Sequence, residues 1–197
     1  MAFKLYMQRS STWLTTFFFL VFGISIGVFT ELALPSEEKG QAISELLESL
    51  TITDASLDHS HLFFRTAGNH MGLLFVTFLS GLVPYGFPGA WLTITGKGVS
   101  LGFTAALLME AMGFRGVLAS ITSILPAQLL ILPALFLAAT AAINHSWNSR
   151  SKSRKKSLSH ETGPYCFCFL IPLLLLLVAS LWEAFISPAW MQLIRSQ

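Results

Sequence analysis

The chain has 197 residues, of which 53% are hydrophobic and only 11% are charged, and its formal net charge is +2. A typical soluble domain has about a quarter of its residues charged, so this composition argues against a soluble protein and predicts an integral membrane protein. A bilayer offers no water to backbone groups, so long apolar runs there fold into helices of about 20 residues. We therefore predict an all-α fold, a single membrane domain over residues 1–197, with membrane lipid as a partner and no nucleic acid.

Five apolar runs predict a bundle of five transmembrane helices, at residues 12–34, 69–95, 98–113, 116–143 and 163–186. Lys4 and Arg9 precede the first run, as in a signal peptide, but the run is longer than the apolar core of such a peptide. We therefore expect a retained helix. The third run is the shortest, near the lower limit for spanning, and a re-entrant segment is the alternative.

The segment 35–65 between the first two runs is acidic, and its pattern predicts an amphipathic helix. Ser36 follows Pro35 and precedes two glutamates, which is typical of a helix start. Apolar residues recur at helical spacing at Ile43, Leu46, Leu47 and Leu50. A helix resting on the membrane is one interpretation, but an acidic face does not favour anionic lipid. We take these four residues as candidates for binding a partner protein.

Prolines interrupt two of the predicted helices. Pro84 and Pro88 fall within the second run, and Pro126 and Pro133 fall within the fourth. Proline lacks the backbone donor and clashes with the preceding turn, so we expect proline-broken helices 2 and 4.

Glycines four residues apart indicate close helix packing. Gly23 and Gly27 lie in the first run, and Gly98 and Gly102 lie in the third. Such spacing lets helices approach closely in a membrane. We expect a compact bundle, and a homo-oligomer remains an open alternative.

The distribution of lysine and arginine predicts the orientation. Lys4 and Arg9 flank the first run, and a basic loop at 144–162 separates the fourth and fifth runs. Positive charge in short loops stays on the cytoplasmic side. We expect a cytoplasmic N-terminus, an extracytoplasmic segment 35–65, a cytoplasmic connection at Lys97, and an extracytoplasmic C-terminus.

Polar groups inside the apolar runs are candidates for a structural role, because burying an ionisable group in a membrane is costly. Glu110 is close in sequence to Arg115 and is expected to pair with it, while Glu183 falls near the outer end of the fifth helix. Both side chains have the alternative of reaching out to the interface. Gln128 is placed nearer the middle of the membrane, where we expect it to bond a neighbouring helix or a carbonyl freed by a proline.

The sequence shows no pattern typical of catalysis. Cys166 and Cys168 are separated by one residue near the cytoplasmic side, and we interpret them as packing residues. The histidines are placed in loops or at helix ends, and His59 with His61 lacks the further ligands of a zinc site. With no phosphate loop and no nucleophile elbow, we expect no enzyme, no catalytic residue, no cofactor-binding residue and no metal ligand.

The stretch KGVSLGFTAALLMEAMGFRGVLASITSILPAQLLILPALFLA, within residues 61–143, resembles the stage II sporulation protein M family. The resemblance rests on the order of its glycines, of Leu125 with Pro126, and of Leu132 with Pro133. It implies a non-catalytic protein of the bacterial cell membrane, in the mother-cell membrane at the septum. Such proteins recruit the D and P proteins of the same sporulation stage, which are peptidoglycan hydrolases, for engulfment of the forespore.

Two functions follow as hypotheses. The wider superfamily often shows a histidine and a glutamate where this chain has Ala127 and Ile131, and the apolar residues favour a scaffold. The alternative is a small-solute transporter or permease subunit, with a site near the prolines of the broken helices and Gln128.

Overall fold

The computed structural model describes residues 10–51, 59–113, 125–151 and 159–186, and within these ranges the chain is helical with short turns and no strand. The last helix ends in a π-helical turn, Trp182–Ile186. The α-helices of the described residues are α1 Ser10–Ala33, α2 Ser36–Thr51, α3 His59–Leu82, α4 Phe87–Met112, α5 Leu125–Ser151 and α6 Ser159–Leu181.

Four of these helices are long and apolar enough to cross a membrane. The segments are Ser11–Ala33, Phe87–Ala111, Pro126–Trp147 and Gly163–Phe185. Helix α3 is 24 residues long but less apolar, because it carries Arg65, Asn69 and His70. The all-α fold is confirmed, whereas the count of five crossings depends on α3.

Large apolar side chains cover the outside of the bundle. Among them, Leu92 is 73% exposed, Phe167 is 76% exposed and Leu129 is 67% exposed. A continuous apolar exterior of this kind is costly in water and is matched by lipid. The chain is therefore a multi-pass membrane protein.

The helices run between two ends of the bundle. The acidic end is where α1 and α4 finish and α2 lies, and the basic end is where α1 begins and α5 finishes. The hydroxyl of Thr12, at the start of α1, donates to Asn144 Oδ1 near the end of α5, at 2.9 Å. These two helices are therefore antiparallel, whereas α1 and α4 run in the same direction.

Helices α1 and α4 form the most extensive helix pair, and glycines bring their backbones together. At each of four glycines, an added Cβ would overlap backbone atoms of the facing helix. These contacts are Gly23 on Thr95, Gly27 on Val99, Gly98 on Leu20 and Gly102 on Ile24. We call these four residues the glycine seam. The predicted close approach is confirmed, and both glycine pairs are used within one chain.

Polar and aromatic side chains join α3, α5 and α6 near the basic end. Tyr165 is fully buried, and its hydroxyl donates to the carbonyl of Phe78 at 2.8 Å. Its ring stacks on His145, with the centroids 4.2 Å apart. The hydroxyl of Ser146 donates to the carbonyl of Val83 at 2.9 Å, where α3 has just ended. We call Ser146, Tyr165 and their partners the Tyr165 cluster.

The structure corrects the predicted second and third helices. The run 69–95 is divided at the turn between α3 and α4, where Gly86 N–H donates to the carbonyl of Val83 at 2.9 Å. Pro84 lies in this turn and Pro88 lies in the first turn of α4, where a missing donor costs little. Residues 98–113 are the second half of α4, so Lys97 lies inside a helix and not in a connection.

The boundaries of the fourth helix and of the basic loop also differ from the prediction. Pro126 lies in the first turn of α5, and Pro133 lies inside α5, which continues without interruption. The predicted start at 116 lies outside the described residues. Residues 144–151 extend α5 and do not form a loop, because Asn144 and Ser146 are buried against α1 and α3. The basic residues at 152–156 lie outside the described part.

Candidate functional site

Helix α2 begins where the sequence predicts and is fastened to the acidic end by Lys39. Its first turn carries Glu37 and Glu38, which suit the positive end of the helix dipole. Lys39 Nζ lies 2.8 Å from Glu110 Oε2 on α4. It also lies 3.2 Å from Glu31 Oε1 on α1, as an ion pair and not as an aligned hydrogen bond. One ammonium thus ties α2 to two helices.

The environment of Lys39 favours its charged form. Its side chain is 14% exposed, and the side chain of Glu31 is 2% exposed. The pKa of Lys39 lies above its ordinary value of 10.5, chiefly because the ammonium donates a hydrogen bond to the Glu110 carboxylate; burial opposes this effect, and Glu31 adds to it. The contact therefore persists across the physiological pH range.

The sequence interpretation found Glu110 but not its partner. Arg115, the expected partner, lies outside the described residues, and the observed partner is Lys39, 71 positions earlier. Glu31 was missed, although an acidic residue near the end of an apolar run was a visible signal. Only the folded chain brings these three side chains together.

The candidate partner-binding face of α2 is described in part. Ile43 is partly buried, while Ser44 and Glu45 beside it are exposed, in agreement with an amphipathic helix. The side chains of Leu46 and Leu47, and that of Leu50, lie outside the described residues, although their backbone is helical. Their role in binding stays a prediction.

A second group of charged side chains lies within the bundle. His70 is 5% exposed on α3, and its Nε2 lies 3.3 Å from Glu183 Oε2 in the π-helical turn. Lys97 on α4 is partly buried and interacts electrostatically with the same carboxylate. We call His70, Lys97 and Glu183 the charged triad. Glu183 was predicted from its position in an apolar run.

The other two members of the triad were missed, each for a specific reason. His70 was placed at a helix end because the second helix was expected to begin at residue 69, whereas α3 begins ten residues earlier. Lys97 was assigned to a connection because it falls between the predicted runs 69–95 and 98–113. His145 was likewise expected outside a helix, and it is buried within α5.

Gln128 lies at a different position along its helix from the one that we expected. It is in the first turn of α5 and not near the middle of the helix, because the described α5 begins at Leu125. Its Oε1 is buried and has no hydrogen-bond partner among the described residues. The bond to a neighbouring helix that we expected for it is not seen there.

The cysteines and histidines do not assemble into a metal centre in the described part of the chain. Cys168 is buried in the core and Cys166 is exposed on the outside of α6. Cys166 lines an apolar cavity of about 580 Å³ between α3 and α6, together with residues such as Met71 and Phe169.

Fold and site together define a helical, multi-pass membrane protein with an amphipathic helix fastened to one end and a charged triad between its helices. The family model Stage II sporulation protein M matches residues 15–188, which is most of the chain. The chain belongs to the stage II sporulation protein M family, and this confirms the resemblance carried by its glycines and prolines. No curated protein and no solved structure matches it.

Proposed function

We propose that this chain is a non-catalytic membrane scaffold that recruits and localises peptidoglycan hydrolases at the septum, for engulfment during endospore formation. Family membership supports a sporulation-related membrane protein. The observation that carries the proposal further is α2, an acidic amphipathic helix held at one end of the bundle by Lys39. The partners we propose are hydrolases of the stage II sporulation D and P types.

The proposed topology has five crossings, with a cytoplasmic N-terminus and an extracytoplasmic C-terminus. The exposed aromatic side chains of α3 support its crossing, since Phe64 is 72% exposed and Phe75 is 60% exposed. Basic residues at 152–156 follow the end of α5, which favours a cytoplasmic basic end. The acidic end, with α2, then faces the cell wall on which hydrolases act.

The fixation of α2 supports a docking role for its apolar face. The Lys39 ion pairs hold only the first turn of the helix, through Glu31 and Glu110. The apolar positions Leu46, Leu47 and Leu50 follow two to three turns later at helical spacing. A partner helix or the membrane-proximal part of a hydrolase would bury that stripe, which is the usual mode for an amphipathic helix.

A mild-detergent pull-down from sporulating cells, with mass spectrometry of the co-purified proteins, tests this proposal. We expect near-stoichiometric peptidoglycan hydrolases with the wild-type chain. Glutamate at Leu46, Leu47 and Leu50 is expected to reduce their recovery at least tenfold while the protein stays in the membrane, because each charge would have to be buried in the interface.

The matched control places the same three charges at positions of α2 outside the apolar stripe, at Gln41, Ser44 and Ser49. These substitutions are expected to leave hydrolase recovery unchanged. Equal recovery with both triple variants would contradict docking on α2, and absence of any cell-wall enzyme from the wild-type sample would contradict the scaffold itself.

A small-solute transporter or permease subunit is the second candidate, and the charged triad favours it. Ionisable groups between membrane helices often mark ion or substrate pathways. Co-purification of an ATPase or another transport subunit in place of hydrolases would support this function. The site would then include the triad and Gln128.

A further inference from the structure

Two ionisable side chains from separate elements, His70 and Glu183, meet inside the bundle, and a third, Lys97, interacts electrostatically with Glu183. The proposed scaffold function gives them no task. His70 comes from α3, Lys97 from α4 and Glu183 from the π-helical turn after α6. Each would be costly alone in an apolar surrounding, so such groups are retained where they compensate one another. The stretches of α5 and α6 beside them, 126–144 and 163–181, contain no acidic, basic or histidine residue. Those two stretches therefore supply no further charge to the triad.

The geometry at His70 leaves one ring nitrogen ready to accept a proton. A carboxylate only accepts hydrogen bonds, so Nε2, at 3.3 Å from Glu183 Oε2, carries the hydrogen. Nδ1 is then the acceptor in the neutral ring, and it is buried without a hydrogen-bond partner among the described residues. A proton added at Nδ1 converts the imidazole into an imidazolium and the hydrogen bond into an ion pair.

Lys97 balances the negative charge of Glu183 when His70 is neutral. Its ammonium interacts electrostatically with the Glu183 carboxylate. With a neutral His70, the triad holds one positive and one negative charge and is neutral overall. With a protonated His70, the triad carries one net positive charge, and two cations share one carboxylate. The strength of the link between α3 and the end of α6 therefore depends on the proton.

The turn that carries Glu183 is suited to change its packing when His70 is protonated. Residues 182–186 form a π-helical turn, a rare conformation often found at functional sites. This turn packs against α3 and continues α6 directly. The side chain of Glu183 is 27% exposed, so the carboxylate has contact with the surroundings of the bundle as well as with His70.

We propose that His70, Lys97 and Glu183 form a proton-binding latch, in which a proton on His70 changes how the π-helical end of α6 is held against α3. The ligand is a proton, and the moving part is the turn Trp182–Ile186. The latch gives this end of the protein a response to pH that does not depend on any partner.

The test is the pH dependence of Trp182, the neighbour of Glu183, in purified protein in lipid nanodiscs. Tryptophan is replaced biosynthetically by 5-fluorotryptophan, and the Trp182 fluorine NMR signal is assigned by its loss in Trp182→Phe. Its chemical shift is followed from about pH 5 to about pH 8, the range that histidine side chains in general call for, and we expect one transition. A signal that does not change over this range would overturn the proposal.

Variants assign the transition to the latch. His70→Gln keeps a donor toward Glu183 but cannot be protonated, and Glu183→Gln removes the acceptor charge; both are expected to abolish the transition. Lys97→Met is expected to retain the transition and move its midpoint. His61→Gln, an exposed histidine on the same helix, is expected to leave the transition unchanged.

The outcomes are decisive because folding is checked in the same samples by helical circular dichroism and by size-exclusion chromatography. A transition that persists in a folded His70→Gln or Glu183→Gln variant would overturn the latch. An unchanged midpoint in Lys97→Met would remove Lys97 from it. Since the readout needs no hydrolase, it stands or fails separately from the scaffold proposal.

Discussion

The glycine seam and the Tyr165 cluster hold helices together by opposite means. In the seam, α1 and α4 meet without side chains at four positions, so the contact is between backbones. In the Tyr165 cluster, α3, α5 and α6 meet through a buried ring and hydroxyl groups that reach backbone carbonyls. Lipid tails are as apolar as the helices, so burial of apolar surface does not drive association, and close packing or hydrogen bonds must do so. The chain uses close backbone packing between α1 and α4, and hydrogen bonds among α3, α5 and α6.

Because backbones touch in the glycine seam, a larger side chain there is expected to destabilise the protein. The largest loss of stability is expected at this place. Gly102→Leu would drive a side chain into the carbonyl of Ile24, and a backbone cannot give way as a side chain does. We expect a loss of roughly 3 kcal/mol or more of stability, as for severe overpacking. Thermal unfolding in detergent, followed by circular dichroism, measures it.

The control for the seam is Gly96→Leu on the same helix, where an added Cβ meets nothing within 4 Å. It is expected to change stability little. Leucine favours a helix more than glycine does, so helix propensity alone would stabilise both variants. If both variants lost the same stability, close packing at the seam would not explain the loss.

A smaller effect is expected in the Tyr165 cluster, where one hydrogen bond can be removed without a change of shape. Tyr165→Phe keeps the ring on His145 but leaves the carbonyl of Phe78 without the hydroxyl. We expect a loss of about 1 kcal/mol, the usual size for such a bond. The same unfolding measurement applies.

Ser25→Ala serves as the reference for this variant. Its exposed hydroxyl donates to the carbonyl of Val21 in its own helix and to no other group among the described residues. A Tyr165→Phe variant no less stable than Ser25→Ala would show that the tertiary hydrogen bond contributes nothing.

The most local effect is expected at Lys39, which fastens α2 to the ends of α1 and α4. Lys39→Met removes both ion pairs and leaves the buried Glu31 carboxylate without its cation. We expect faster backbone hydrogen exchange in residues 36–45 and at the end of α1, with the exchange of the rest of α1 and α4 unchanged. The hydrogen bond to Glu110 raises the pKa of Lys39 above its ordinary value of 10.5. The stability that the charged Lys39 gives to α2 is therefore fully present below pH 10.5, and it is lost as the pH rises through the pKa of Lys39 in the folded protein. Wild-type α2 is therefore expected to loosen only at strongly alkaline pH.

Hydrogen-exchange mass spectrometry measures this loosening, and Gln41→Met is the control, since Gln41 is exposed on the same helix. Faster exchange in both variants would mean that Lys39 does not fasten the helix. Protection of α2 that weakens already near neutral pH would also contradict this role.

The sequence by itself determined the all-α membrane class, the start of α2 and the family, because these depend on composition, on a local helix signal and on the order of glycines and prolines. The glycine pairs could be recognised as contact points for the same reason. Glu110 and Glu183 stood out because an acidic residue in an apolar run is conspicuous whatever surrounds it.

Only the tertiary structure decided where the helices turn and which charges meet. Prolines at 84 and 88 end one helix and start another, whereas Pro133 lies within α5, and the pattern of the sequence does not separate the two cases. The partners Lys39 with Glu110 and His70 with Glu183 are 71 and 113 positions apart. Such pairs depend on how whole helices pack, and local sequence carries no record of that packing.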